Sequence, residues 1–271
     1  MNGAQFKHAL RMGQRVYGTL LTSTSPHWVP SIAGLPLDFV FIDTEHIPID
    51  RAQLSWMAWT YRHAGLVPVV RIPSPDPFAA CQALDGGACA VVAPYVETAA
   101  QVRELVGAVK QRPLKGAKLA AAISGELPLS PELQSYIDAY NAANALIINI
   151  ESVPAMGALD ELLAVPGVDA VLIGPHDLSC SLDQPEQYEH PTFEAAVVEI
   201  LRRARAAGVG AGIHSWMPPN REAAWCAAGA NLIIHSSDVI AARTTLRAEV
   251  SALRRLIGDM PEPSSSGRAA N

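Results

Sequence analysis

Residues 146–177 read LIINIESVPAMGALDELLAVPGVDAVLIGPHD, and the fold turns on how this stretch is parsed. Two short apolar runs, Leu146–Glu151 and Ala170–Gly174, flank a segment near 155–164 with apolar residues at helical spacing. Apolar residues at consecutive strand positions imply burial on both faces, as in a parallel sheet covered by helices. Strand, helix, strand in that order is a βα repeat, and each of the two strands is followed by a carboxylate, Glu151 and then Asp177.

The same rhythm runs outward in both directions. Further strands are predicted at Val16–Leu21, Phe39–Glu45, Pro68–Ile72, Ala90–Val96, Gly210–His214 and Leu232–His235. Helices are predicted near 51–64, 77–86, 98–111, 131–143, 192–207, 219–228 and 239–257. Asp50 followed three residues later by Gln53 forms a capping-box pattern, and Pro77, Pro131 and Pro191 each suit a first helical turn. Eight βα units point to an α/β fold, a (β/α)8 TIM barrel occupying 1–258 as one domain. Residues 112–145 break the rhythm and read as a long excursion, holding either an extra strand or a loop with a short helix. The polar, Pro- and Ser-rich stretch 259–271 reads as a disordered tail.

Composition narrows the class of function. The 271 residues are 49% apolar and 17% charged, enough for a large single core, and the formal charge of −6 argues against a nucleic-acid surface. A small molecule is the expected partner. No run of about 18 apolar residues offers a membrane span and the N-terminus lacks a signal-peptide core, so a cytoplasmic location is expected. Cys81, Cys89, Cys180 and Cys226 form no metal-binding or disulfide pattern.

In such a barrel, chemistry gathers at the C-terminal ends of the strands. His46, Arg71, Glu151 and Asp177 all fall there. Two carboxylates supply hard oxygen ligands suited to Mg²⁺ or Mn²⁺, with Co²⁺ or Zn²⁺ as further possibilities. Arg71 carries a permanent planar charge that matches a carboxylate, and His46 titrates near neutrality and suits a general base, with Asp43 or Glu45 to orient it. Each group taken alone also suits a plain structural role, as a loop cap, an ion pair or a buried hydrogen bond; it is their conjunction that points to a site. The four lysines, Lys7, Lys110, Lys115 and Lys118, lie away from these strand ends, so Schiff-base chemistry has no candidate and enolate chemistry would need a metal.

The segments DFVFIDTEH (38–46), VVRIPSPDP (69–77), ALDGGACAVVAPYVETAAQ (83–101), INIES (148–152) and GVDAVLIGPHDLS (167–179) resemble the HpcH/HpaI family of metal-dependent (class II) pyruvate aldolases, over about Gly18 to Asp238. The resemblance implies metal ligation by Glu151 and Asp177, a base at His46 beside Asp43 and Glu45, and Arg71 steadying the pyruvate oxygens. It further implies that Asp85 reaches a neighbouring subunit's site, and that Asn149, Gly174, Pro175 and His176 contact substrate, with backbone N–H groups near Gly174 and Pro175 holding a carboxylate. The implied reaction is reversible cleavage of a 4-hydroxy-2-oxo acid to pyruvate and an aldehyde through a metal-stabilised enolate. The implied assembly is a homo-oligomer, a hexamer built as a trimer of dimers, with the last helix exchanged between protomers. His176 and Asn149 depart from the family pattern, as does 112–130, and His214 and His235 stand at later strand ends as candidates for tuning the pocket. Two other readings stay open: an acyl-CoA lyase of malyl or citryl type, disfavoured by the scarcity of lysine, and a non-catalytic ligand-binding barrel.

Overall fold

The computed structural model describes residues 1–126 and 128–259; the expected disordered tail lies almost wholly outside them. The strands are β1 Val16–Leu21, β2 Phe39–Asp43, β3 Val67–Arg71, β4 Ala90–Ala93, β5 Ala145–Ile150, β6 Ala170–Ile173, β7 Gly210–Ser215 and β8 Leu232–Ser237. Each pairs in parallel with the next and β8 returns to β1, closing the (β/α)8 barrel that the sequence predicts.

Alternate side chains along each strand point inward. Val16, Phe39, Phe41, Val67, Val69, Val92, Ile147, Leu172 and Ile234 fill the barrel, while Val40, Ile42, Val70, Val91, Ile148, Val171 and Ile173 face the surrounding helices. Gly18 makes room for this packing, because a Cβ there would stand 2.4 Å from the Phe39 ring. At the N-terminal end of the barrel a helix the sequence reading did not anticipate, Gly3–Met12, inserts Phe6 and Leu10, both fully buried. Its start is fixed by a capping box between Asn2 and Gln5.

Helix starts were well marked in the sequence. Asp50 and Gln53 exchange backbone-to-side-chain bonds of 2.8 and 3.1 Å, and Pro77, Pro131 and Pro191 each open a helix. Strand ends were less well marked. β2, β3, β4, β5 and β6 stop before Glu45, Ile72, Val96, Glu151 and Gly174, because there the backbone turns over the barrel mouth and leaves the ladder, whereas β7 and β8 run on to Ser215 and Ser237. Among its described residues the excursion 112–145 contains two helices and no extra strand: Gly116–Ser124, with no buried residue, and Pro131–Tyr140. A short helix at Trp28–Ala33 was likewise not anticipated, whereas the one at Pro175–Ser181 follows the Gly174 turn as expected.

The last helix, Asp238–Leu256, is anchored at its first residue. The buried Asp238 carboxylate accepts from the Thr22 N–H (3.0 Å), Thr22 hydroxyl (2.7 Å) and Ser23 N–H (2.9 Å), tying the end of β1 to the end of β8. Beyond it, Leu246, Val250, Leu253, Leu256 and Ile257 are exposed. No described helix is long and apolar enough to cross a membrane.

Candidate active site at the barrel mouth

Register brings the first pair together. Asp43 and Arg71 are direct partners in the β2–β3 ladder, and both continue the inward-facing alternation that Phe41 and Val69 occupy one layer below. The guanidinium grips Asp43 through two bonds, Nε to Oδ1 at 2.9 Å and Nη2 to Oδ2 at 2.6 Å, and its Nε lies 3.1 Å from Glu45 Oε2. Burial opposes the charge on Asp43, but the Arg71 bonds outweigh it and hold the carboxyl below its ordinary range. Burial likewise opposes the charge on Arg71, and Asp43, Glu45 and Glu151 more than restore it. Asp43, one of the two carboxylates expected to orient His46, is bonded to Arg71 and orients it. His46 stands exposed at the rim, its Nε2 3.8 Å from Glu45 Oε1, too far for a hydrogen bond.

Glu151, just past β5, is buried and accepts two bonds, from the Tyr95 N–H at 2.7 Å and from Asn149 Nδ2 at 2.8 Å. Its pKa is raised, first by burial and then by the nearby Asp177 and Glu45 charges. Asp177 sits in the first turn of Pro175–Ser181, with no side-chain hydrogen bond among the described residues. Gly174 lies between the two: a Cβ there would stand 2.7 Å from Glu151 Oε2 and 3.6 Å from Asp177 Oδ2, so both carboxylates border one small space that only glycine leaves open.

This donor set suits a hard divalent cation. It offers two carboxylates, and the buried Asn149 Oδ1 close by has no hydrogen-bond partner. All are oxygens, which favours Mg²⁺ or Mn²⁺ over Zn²⁺. No cluster of three or more His, Cys, Asp or Glu with metal-binding placement occurs among the described residues, so an ion here would draw its remaining ligands from water or substrate.

A cavity of 570 Å³ opens over these groups, lined among others by Asp43, His46, Arg71, Asn149, Gly174 and Asp177, and also by Pro175 and His176. Pro175 has no N–H to give, so of the two residues named for holding a carboxylate only Gly174 has a backbone donor, with those of His176 and Asp177 following in the helix start. Asp85 lies elsewhere, at the end of helix Pro77–Asp85, paired with Arg112 and bordering a separate groove.

Two contributors escaped the sequence reading. Tyr95 has a left-handed backbone, φ 54°, which aims its N–H at Glu151, and a bond to Glu45 is the first cause of its raised phenol pKa. Trp216, just beyond β7, adds an aromatic wall. A non-glycine left-handed residue cannot be read from composition, though Tyr95 directly after a strand and a proline was a visible position.

A parallel eight-stranded barrel with an arginine and paired carboxylates at its mouth defines a class, the (β/α)8 barrels that carry their polar site at the C-terminal ends of the strands. Comparison with known proteins narrows it: the HpcH/HpaI aldolase/citrate lyase family profile matches residues 17–244, and the chain belongs to that family. It is 32% identical over 237 residues to a 2-keto-3-deoxy-L-rhamnonate aldolase of Klebsiella pneumoniae, covering 87% of each chain. It is 33% identical to a hydroxypyruvate/pyruvate aldolase of Roseovarius nubinhibens, covering 77% of this chain and 80% of that one. The crystal structure of an HpcH/HpaI aldolase from Desulfitobacterium hafniense superposes with a TM-score of 0.81 at 30% identity, covering 94% of this chain and 98% of the other. Citrate synthase SbnG, at 28% identity and a TM-score of 0.79 over 93% of this chain and 98% of that one, shares the fold too.

Proposed function

We propose that this chain is a class II pyruvate aldolase, cleaving a 4-hydroxy-2-oxo acid reversibly to pyruvate and an aldehyde. The observation that carries the reading is the pair of carboxylates, Glu151 and Asp177, bordering the Gly174 gap beside a cavity that the permanently charged Arg71 also lines. A Mg²⁺ or Mn²⁺ ion held by Glu151 and Asp177 would supply positive charge for the oxygen that becomes negative during C–C cleavage. Arg71 adds a second, fixed positive group, pre-oriented by Asp43 and Glu45 so that none of its alignment has to be created during reaction. Asn149 keeps Glu151 in place, and His46 at the rim takes the proton of the C4 hydroxyl and is free to return it. The resemblance to a 2-keto-3-deoxy-L-rhamnonate aldolase and a hydroxypyruvate/pyruvate aldolase supports this over an acyl-CoA substrate, as does the cavity lining: among the described residues Arg71 is its one Lys or Arg, too few for nucleotide phosphates.

The test is deuterium exchange at the pyruvate methyl group, followed by NMR after chelator treatment. Exchange restored by Mn²⁺ or Mg²⁺ is expected. No exchange with either ion overturns the reading.

The working unit is a homo-oligomer. The apolar row Leu246, Val250, Leu253 and Ile257 repeats along the last helix beyond its anchored start and is exposed. A groove of 780 Å³ beside β1 and β8 runs between the first half of this helix, at Ile240, Ala241, Thr244 and Leu246, and Trp28, Ile32, Leu35, Leu37 and Met217. A second copy's helix fills it, and the assembly extends to a hexamer, a trimer of such dimers. Light scattering checks this: a monomer at micromolar concentration overturns it.

A further inference from the structure

The cavity wall formed by β7 and by the loop between Ser181 and Pro191 carries polar groups to which the enolate chemistry assigns no role. His214, near the end of β7, packs edge-on against Phe41 at 5.8 Å and Trp216 at 6.1 Å, and its ring faces the cavity. Its Nε2 lies 3.2 Å from the Ser236 carbonyl oxygen. A carbonyl only accepts, so Nε2 carries the proton and Nδ1 is left as an acceptor, with no partner among the described residues. Burial, aided by the nearby Arg71 charge, holds the pKa down at about 4, so the ring stays neutral at working pH.

Glu186 borders the same cavity. Its left-handed backbone, φ 58°, is pinned by a 3.0 Å bond from its N–H to the buried Ser179 hydroxyl, and its Oε1 stands 3.8 Å from His176 Nδ1. Both wall groups are acceptors, and a substrate that satisfies them has to bring donors.

Building on the aldolase reading, we propose that His214 and Glu186 select the aldehyde half of the substrate, and that the class they select is a short, uncharged aldehyde bearing hydroxyl groups. A hydroxyl donates to Nδ1 of His214, whereas a methyl in its place leaves that nitrogen dry and unpaired, the asymmetry that gives polar pockets their selectivity. An anionic aldehyde is disfavoured on charge. With Asp43 paired to Arg71 and Asp177 given to the cation, Glu186 is the carboxylate of the cavity lining left without a compensating charge, and Arg71 is the only lysine or arginine among the described lining residues. Glu186 is more than half exposed, so that repulsion is modest.

The experiment compares kcat/KM for glycolaldehyde, propanal and glyoxylate with pyruvate in the full chain supplied with Mn²⁺. Glycolaldehyde and propanal differ by a hydroxyl against a methyl, so their ratio within one protein cancels general damage. The unsubstituted protein should favour glycolaldehyde by about tenfold. His214→Leu should bring the ratio near one, His214→Gln, which retains an acceptor, should keep most of it, and Glu186→Gln should raise glyoxylate by about twofold relative to propanal. Methyl exchange on pyruvate is recorded beside each value. Exchange without any glycolaldehyde preference in the unsubstituted protein overturns the inference alone, as does an unchanged ratio in His214→Leu. Absence of exchange in the unsubstituted protein removes the aldolase reading and the inference with it. If His214→Leu does not fold, an equal preference for both aldehydes in His214→Gln overturns the inference, and a retained preference supports it.

Discussion

The two ends of the barrel each bury an aspartate, and they treat it in opposite ways. At the N-terminal end, Asp169 is fully enclosed and met by two cations: Arg11 Nε at 2.8 Å and the Lys110 ammonium, with the Leu146 N–H at 2.8 Å besides. At the C-terminal end, Asp43, Glu45 and Glu151 share one guanidinium, Asp177 stands beside them, and the buried Asn149 Oδ1 is left without a hydrogen-bond partner. The first end is a finished structure that gains nothing from a ligand. The second is short of positive charge and of hydrogen-bond donors, which is what a site needs if a cation and an oxo acid are to bind there.

The contrast can be broken most directly at Asp177. Replacing it with Ala should cut metal-dependent methyl exchange about a thousandfold while leaving urea unfolding nearly unchanged. Intact exchange would show that the excess of carboxylate at the mouth is not functional. Asp169→Ala should do the reverse: about 3 kcal/mol of stability lost in urea, from stranding buried Lys110, with little change in exchange under native conditions. A loss of exchange without loss of stability would erase the division between the ends.

Acid should act first at the mouth. His214, with a folded pKa of about 4 against an ordinary 6.5, binds its proton more readily when unfolded. Stability should therefore fall as pH drops from about 6.5 to 4, by about 1–3 kcal/mol, and the depressed Asp43 should extend the loss below its ordinary 3.8. The raised Glu151 opposes this trend, since its folded form takes up a proton earlier than its unfolded form. Denaturation of His214→Leu should show a flatter curve between pH 6.5 and 4; an identical curve would assign the acid sensitivity elsewhere. The smallest effect is expected at Tyr95→Phe, which removes the phenol beside Glu45 and keeps the N–H on Glu151: about a threefold drop in exchange, with no change in metal affinity by titration.

Much of the mouth was legible in the sequence because strand ends announce themselves through apolar runs. His46, Arg71, Asn149, Gly174 and Asp177 border the one cavity, with Glu151 directly beneath it beside Gly174. What stayed hidden depends on register and backbone sign. That Arg71 faces Asp43 follows from which residue of β2 pairs with which of β3, information no single strand contains. The N-terminal end was invisible for a related reason: Arg11, Lys110 and Asp169 are far apart in the chain and meet only once the barrel has closed. Helix Gly116–Ser124 could not be told from an extra strand because it buries nothing, and so leaves no strong periodic apolar stripe.

The Asp238 latch gives the chain a timetable. Its partners at Thr22 lie 216 residues upstream, and β1 can complete its ladder only when β8 arrives beside it. At ordinary rates of synthesis, that much chain takes roughly ten to forty seconds to emerge. For that interval β1 has one edge without its final neighbour, the condition in which nascent strands pair wrongly or attract chaperones. The residue that locks the finished barrel is thus also the one whose appearance ends its most vulnerable period.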